Sequence, residues 1–351
     1  MSTLETLGWG PFFSSQLTLE ELDSLIPGRV VAERGKQLLV RFEDGERLAS
    51  IPGRLRSSPE PPVVGDFVLA PPGPAPVIAR VLARRAKLSR GVAGRRTSEQ
   101  VLAANVDLVL VVQGLDVEVN ARRLERTVAA VYAGGAEPAI VLTKADLCGD
   151  PAAALEAARA VSPAIAVLAA SGKTRAGLEA VRALLATGRT GVFVGPSGAG
   201  KSTLVNALLG AETQVTAEVR GHDRRGRHAT SARHLFALEG GGAVIDSPGI
   251  RELKLWDPAG VDEVFEDVAE LATRCRFGYC RHEDEPGCAV RAAVESGTLP
   301  AGRLESLHKL QREARALAAR QDAGVARAEK QRWRAVSKEV RRFMRDRGRG
   351  E

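Results

Sequence analysis

Gly195, Pro196, Ser197, Gly198, Ala199, Gly200, Lys201 and Ser202 have the spacing of a phosphate-binding loop, with Thr203 next in the cradle. The glycines let successive backbone N–H groups turn toward phosphate oxygens, helped by the helix N-terminus behind them. Lys201 is expected to bridge the β- and γ-phosphates, and Ser202 to ligate Mg2+. Asp246-Ser-Pro-Gly249 follows later in the chain. There Asp246 is expected to hold Mg2+ through water, and the Gly249 N–H to sense the γ-phosphate. Ahead of both lies Thr143-Lys144-Ala145-Asp146. The Asp146 carboxylate can accept two N–H bonds from guanine. Adenine cannot present that pair, and an unmatched buried carboxylate is costly. Ser171-Gly172-Lys173 has the form of a loop that supports the base through a backbone N–H.

The order of these motifs is itself informative. Guanine-nucleotide hydrolases ordinarily run phosphate loop, switches, then base reader. Here the base reader comes first, so the chain reads as circularly permuted. Thr143 stands where such hydrolases carry Asn. Gly226-Arg-His-Ala-Thr-Ser231 lies where the first switch belongs, with Thr230 expected to close onto Mg2+ and Ser231 as the alternative. Ile250 follows Gly249, and an aliphatic chain cannot orient water as the common glutamine does. Unassisted hydrolysis should then be slow, or another group must serve. His228 is the candidate, because an imidazole can position or deprotonate the attacking water. The alternative is a solvent-exposed or RNA-contacting His228.

Four cysteines occur, and three of them fall in Cys275-x4-Cys280-x-His282-x5-Cys288. Three thiolates and an imidazole so close together suit a closed, structural Cys3His zinc site better than disulfides. The intervening residues are too polar to fold unaided, so zinc is expected to tie them together. Cys148 stands apart as a small packing residue.

The net charge is +7, and from Arg303 to Glu351 there are 15 Lys/Arg against 7 Asp/Glu. The basic surplus therefore sits at one end, which suggests a polyanion there, nucleic acid being the usual one. Arg332-Trp333-Arg334 and Arg341-Arg-Phe-Met-Arg345 mix cations with aromatics that can pair phosphates and stack on bases. A solvated helix with a skewed surface is the plainer reading. No apolar run approaches the ~20 residues of a membrane span, and residues 1–8 lack a secretory pattern. A soluble, cytoplasmic monomer with no membrane contact is expected.

These motifs need particular elements beneath them. Leu19 to Ile26 reads as a short helix ended by Pro27-Gly28. Arg29–Ala32, Gln37–Phe42, Phe67–Ala70 and Val77–Leu82 read as strands, with a hairpin turn at Glu43-Asp44-Gly45. Such short strands suit a small barrel, an OB-fold or an SH3-like one. From Val106 the rhythm changes to apolar strands (Val106–Val112, Ala139–Leu142, Ile165–Leu168, Gly191–Val194) alternating with helices such as Ala121–Tyr132 and Ala152–Ala160. That is the signature of a parallel sheet covered on both faces, with ligands at the carboxyl ends of its strands. His234–Leu238 and Ala243–Ile245 read as a hairpin. After Pro258 the chain is helical to about Arg345, apart from the cysteine cluster.

Taken together, the permuted order, Gly226-Arg-His228, Asp246-Ser-Pro-Gly-Ile-Arg-Glu252 and the cysteine spacing resemble the ribosome small-subunit-dependent GTPase A family, over roughly residues 28 to 345. Gly53-Arg-Leu-Arg56 and Val63-Val-Gly-Asp66 look like its barrel, and Ala104-Asn-Val-Asp107 like the lead-in to its nucleotide domain. The family differs in having Asn at Thr143 and consecutive threonines at Ala229-Thr-Ser231. The resemblance implies a multi-domain α/β protein in four parts. These are an N-terminal extension (1–27), an OB-fold barrel (28–90), a circularly permuted P-loop GTPase domain (91–257) and a zinc-binding, basic helical domain (258–351). It further implies a GTP hydrolase that binds the small ribosomal subunit and its rRNA late in maturation, is stimulated by it, and leaves on hydrolysis. Two rivals are an RNA-binding module with a vestigial nucleotide pocket and an ATP-using P-loop enzyme.

Overall fold

The computed structural model describes residues 2–92, 98–210, 233–246 and 260–316. Strands β1 (Ile26–Arg34), β2 (Gln37–Phe42) and β3 (Gly45–Ser50) form a meander, and β4 (Phe67–Ala70) pairs with both β1 and β5 (Arg80–Val81). Leu38, Val40 and Phe42 alternate inward along β2, as a half-buried strand requires. A parallel bridge between Ser50 and Val77 brings the end of β3 beside the approach to β5. The resulting circuit β1-β2-β3-β5-β4-β1, with one parallel closure and the short helix Gly53–Arg56 after β3, is that of an OB-fold rather than an SH3-like barrel.

One expectation near the N-terminus needs correction. The helix stops at Ser24, and Ile26, Pro27 and Gly28 already belong to β1, opposite Ala70, Leu69 and Val68. Thr18 and Glu21 close a capping box at the helix start. Pro27 is tolerated because it lies at the strand's beginning, before pairing with β2 starts at Arg29. Gly28 is required there, since a Cβ would come within 2.6 Å of Val40 and 2.8 Å of Phe42.

The same sheet continues past the barrel in the order β10-β9-β8-β11-β13-β12, from β8 (Leu108–Gly114), β9 (Glu137–Thr143), β10 (Ala166–Ala169), β11 (Thr190–Val194), β12 (His234–Ala237) and β13 (Ala243–Asp246). All neighbours are parallel except the β12–β13 hairpin. Every residue of β8 and β11 is buried. Leu108, Leu110 and Val112 pack with Leu204 and Leu208 of the helix Lys201–Leu209. Val109 and Val111 pack on the opposite face with Leu124 and Val128 of the helix Ala121–Tyr132. Apolar runs without alternation follow from that two-sided cover. Strand order reverses between β8 and β11, which opens a crevice at their carboxyl ends.

A hairpin of β6 (Lys87–Val92) and β7 (Ser98–Ala104) stands between barrel and sheet, bonded to Gly134 through Lys87 and to Val64 through Ala104. The barrel meets the sheet directly where Ala32 of β1 pairs His234 of β12. Arg29, 1% exposed, ties the same junction. Its guanidinium donates to the carbonyls of Gly65 (3.2 Å) and Asn105 (3.0 Å), to the Thr190 hydroxyl (2.7 Å) and to the Leu7 carbonyl. Burial pulls its pKa down to about 10, so it remains a cation at neutral pH.

Between residues 260 and 316 the helices are Val261–Val264, Glu266–Ala272, Ala289–Glu295 and residues 301–316, and the expected helix to about Arg345 lies outside the described residues from 317 on. Among the described residues no helix is long and apolar enough to cross a membrane.

Candidate functional site

The phosphate loop leaves β11 at Gly195, whose backbone has φ of 149°. A Cβ there would fall 2.2 Å from the Val112 carbonyl oxygen, so only glycine lets the loop turn this close to β8. Lys201 begins the helix and folds its Nζ back onto the loop, donating to the Gly195 (2.7 Å) and Pro196 (2.6 Å) carbonyls. The ammonium is thereby held over the loop formed by Gly195 to Gly200. Ser202 and Thr203 occupy the same first helical turn. Asp246 ends β13, one residue past the Val192–Ile245 pair, which sets it beside the strand that feeds the loop.

Thr143 ends β9 and is 1% exposed. Its hydroxyl donates to the Ala199 carbonyl and lies 3.3 Å from the Gln113 carbonyl, binding the base-reader segment to the phosphate loop. Lys144 adopts a left-handed backbone (φ 58°) and pairs with Asp116 at 2.5 Å. Asp146 is exposed, and its Oδ1 accepts from the Ser171 hydroxyl at 2.6 Å, which holds the carboxyl below its usual range. Ser171 Oγ in turn accepts from the Lys173 and Thr174 N–H groups at 3.2 and 3.1 Å. Gly172 approaches so closely that a Cβ would lie 2.8 Å from the Thr203 backbone. The loops after β9, β10 and β11 are thus one contiguous surface, with Asp146 and Lys201 at the same end of the sheet. His228, Thr230, Ser231, Gly249 and Ile250 lie outside the described residues.

A cavity of about 820 Å3 opens beside the phosphate loop, between Pro196–Ala199, Lys144 and the segment 113–123. Gln113 organises that wall. It is 2% exposed, donates to the Glu118 carbonyl (3.0 Å) and accepts from the Asn120 N–H (3.3 Å). Asn120 then caps the helix Ala121–Tyr132 through the Arg123 N–H. Gln113, Asp116 and Asn120 carry little signal in the sequence. The available signal was a lone amide at the end of an otherwise apolar strand, followed by a capping Asn.

At the other end of the chain, the ligand atoms of Cys275, Cys280, His282 and Cys288 all lie within 4.8 Å of one another. Cys275 Sγ is 3.9 Å from Cys288 Sγ and 3.7 Å from His282 Nδ1, and Nδ1 is 3.4 Å from Cys288 Sγ. A tetrahedral zinc ion has edges of about 3.8 Å between sulfurs and about 3.5 Å from sulfur to nitrogen, given its bond lengths. The donor set and its spacing fit that ion.

The RsgA GTPase family model matches residues 81–256. A small ribosomal subunit biogenesis GTPase RsgA from Opitutus terrae is 40% identical over 366 residues, covering 99% of this chain and 100% of its own. Its namesake from Streptomyces coelicolor is 43% identical over 334 residues, with 93% and 91% covered. The crystal structure of YjeQ from Thermotoga maritima superposes with a TM-score of 0.64 at 26% identity, over 83% of this chain and 98% of that one. With the family model matching half of the chain and relatives of 40% identity or more aligned over nearly all of it, the chain belongs to the RsgA GTPase family.

Proposed function

We propose that the chain is a GTP hydrolase that assists late maturation of the small ribosomal subunit and leaves it on hydrolysis. The observation that carries this reading is the convergence of Asp146, Ser171 and Lys201 at one sheet end despite their permuted order, in a chain with RsgA relatives throughout its length. Asp146 reads guanine, with Thr143, Lys144 and the Ser171-Gly172-Lys173 loop supporting it. Gly195, Pro196, Ser197, Gly198, Ala199, Gly200, Lys201, Ser202 and Thr203 cradle the phosphates, and Gly249 senses the γ-phosphate. Ser202, Asp246 and Thr230 hold Mg2+, which neutralises charge on the β- and γ-phosphates when bound. His228 positions the attacking water. Zinc, held by Cys275, Cys280, His282 and Cys288, is structural, since four protein donors leave no position for water. Barrel and helical module flank the nucleotide domain and contact rRNA from two sides, as a cytoplasmic monomer would. The division at about residues 27, 90 and 257 follows the same scheme.

Purified chain is expected to hydrolyse GTP slowly alone and faster with purified small subunits, and to leave ATP untouched. Equal turnover of GTP and ATP favours the ATP-using rival. No turnover with subunits present favours the vestigial pocket.

Asp146→Asn exchanges an acceptor for a donor where guanine offers N–H groups. GTP affinity should fall by about 100-fold, the scale set by leaving buried polar groups mismatched. Xanthosine triphosphate, with a carbonyl where guanine has its amine, should bind the variant better than the parent. A titration in which the variant keeps its GTP affinity would remove Asp146 from base reading.

A further inference from the structure

Tyr279 is 81% exposed on a loop that is otherwise tied down. At the loop's base the Cys275 and Cys280 ligand atoms meet those of His282 and Cys288. The Arg276 N–H donates to the Gly287 carbonyl at 3.2 Å, and the Cys280 N–H to the Phe277 carbonyl at 3.1 Å, closing a tight turn. Phe277 lies beside Tyr279, with ring centroids 5.8 Å apart and planes inclined by 30°. The Arg276 guanidinium covers the Phe277 ring at 5.5 Å. A tyrosine ring carries a large apolar surface that folding or binding normally covers. Here Phe277 props the ring while solvent keeps most of it.

From Arg274 to Arg281 the chain has three arginines and no acid. Among the described residues Arg274 pairs with Glu270, at the long distance of 3.9 Å. The Glu285 carboxylate turns inward, accepting from the Arg281 and Glu283 N–H groups at 2.9 and 3.0 Å. Glu283 and Asp284 are exposed, on the far side of His282 in the chain. We propose that Tyr279 is a stacking platform for one unpaired RNA base, with Arg274, Arg276 and Arg281 meeting the adjoining phosphates. The inference rests on the small-subunit reading above. Unpaired RNA offers π-faces next to phosphates, which is what this ring and these cations match. A protein partner would call for a wider apolar patch, yet beside Tyr279 stands Gly278, where an added Cβ would meet nothing within 4 Å, and Arg276 and Arg281 lie within three residues in the chain.

The test uses the full-length, zinc-loaded chain and a labelled oligoribonucleotide of about 12 nucleotides, within the usual single-strand site size. It is presented single-stranded and as a duplex, alongside co-sedimentation with purified small subunits. Tyr279→Ala should weaken single-strand binding about tenfold, on the scale of one lost stacking contact, and Tyr279→Phe should retain it. Tyr279→Ala should leave the salt dependence unchanged, whereas Arg276→Gln should flatten it, because only phosphate contacts release counterions. Unchanged single-strand affinity in Tyr279→Ala overturns the proposal, as does an equal loss on duplex. Intact oligonucleotide binding with lost subunit binding also overturns it, assigning the ring to a ribosomal protein. A parent chain that neither sediments with subunits nor responds to them in GTP turnover defeats the assembly reading, and the oligoribonucleotide series still decides on Tyr279.

Discussion

Cys288→Ser is expected to strip the C-terminal module of metal and of order between residues 273 and 300. Between Arg276 and Gly287 no residue is buried, so packing alone cannot hold this stretch. Cys288 itself is 6% exposed and serves twice. Its sulfur lies in the Cys3His cluster and also accepts from the Arg291 N–H at 3.4 Å, capping the helix Ala289–Glu295. Serine is a good N-cap, so this substitution keeps the cap while removing the thiolate. Alanine removes both and should cost about 1 kcal/mol more. Structural zinc in small modules contributes on the order of 10 kcal/mol to folding. Loss of a direct ligand should therefore lower zinc affinity by well over about 100-fold, the upper range for losing only a supporting contact. Elemental analysis should find zinc near stoichiometric in the parent and far below it in the variant. Amide exchange should accelerate across 273–300 while β8 and β11 keep their protection. A variant that retains both zinc and protection would mean that the cluster is not what holds the loop.

The features legible in the sequence were those whose chemistry is local. Glycine spacing around Lys201 and the cysteine spacing around His282 are each set within fourteen or fewer residues. Apolar runs marked β8 and β11 because burial on both faces removes alternation. Long-range contacts stayed hidden. Thr143 was visible as a departure from Asn, but its partner, the Ala199 carbonyl, lies 56 residues away and meets it only once β9 and β11 flank β8. The opening of β1 was masked by Pro27-Gly28, a pair that ends a helix as readily as it starts an edge-paired strand. The β6–β7 hairpin is short on apolar alternation, with Ser89, Arg90 and Gly91 along one strand. Arg29 and Arg303 look like any surface arginine in a sequence, since burial of a guanidinium depends on acceptors drawn from distant segments.

Arg303→Ala is expected to loosen the helical module from the nucleotide domain at a cost of about 3–5 kcal/mol, the range for breaking a buried ion pair by removing one partner. Arg303 is 7% exposed and Glu125 4%. The guanidinium grips Asp267 through two bonds of 3.0 and 2.9 Å, Glu125 at 3.0 Å and the Val264 carbonyl at 2.6 Å, over the Phe265 ring at 4.2 Å. Glu125 belongs to the helix Ala121–Tyr132, whose first turn walls the cavity beside the phosphate loop. Module and nucleotide domain therefore share this helix. The neighbouring pair Arg122–Glu305 is largely solvated and should matter by about 1 kcal/mol or less, while Arg126–Glu313 is partly buried. Burial raises the Glu125 carboxyl above its ordinary value of 4.5, with Ser306 and Arg303 pulling the other way. An acid raised in the folded state contributes stability that is present below the ordinary value and lost as pH rises through the folded one. Removing the Arg303 cation raises that carboxyl further, so the lost stability should be partly recovered on acidification to about pH 5. Glu125→Gln, which never has to ionise, should cost less than Arg303→Ala. Urea denaturation and amide exchange over residues 301–316, at about pH 8 and pH 5, measure both effects. An Arg303→Ala penalty that is identical at the two pH values would clear Glu125 of the cost and leave Asp267 and the lost contact with Phe265 to account for it.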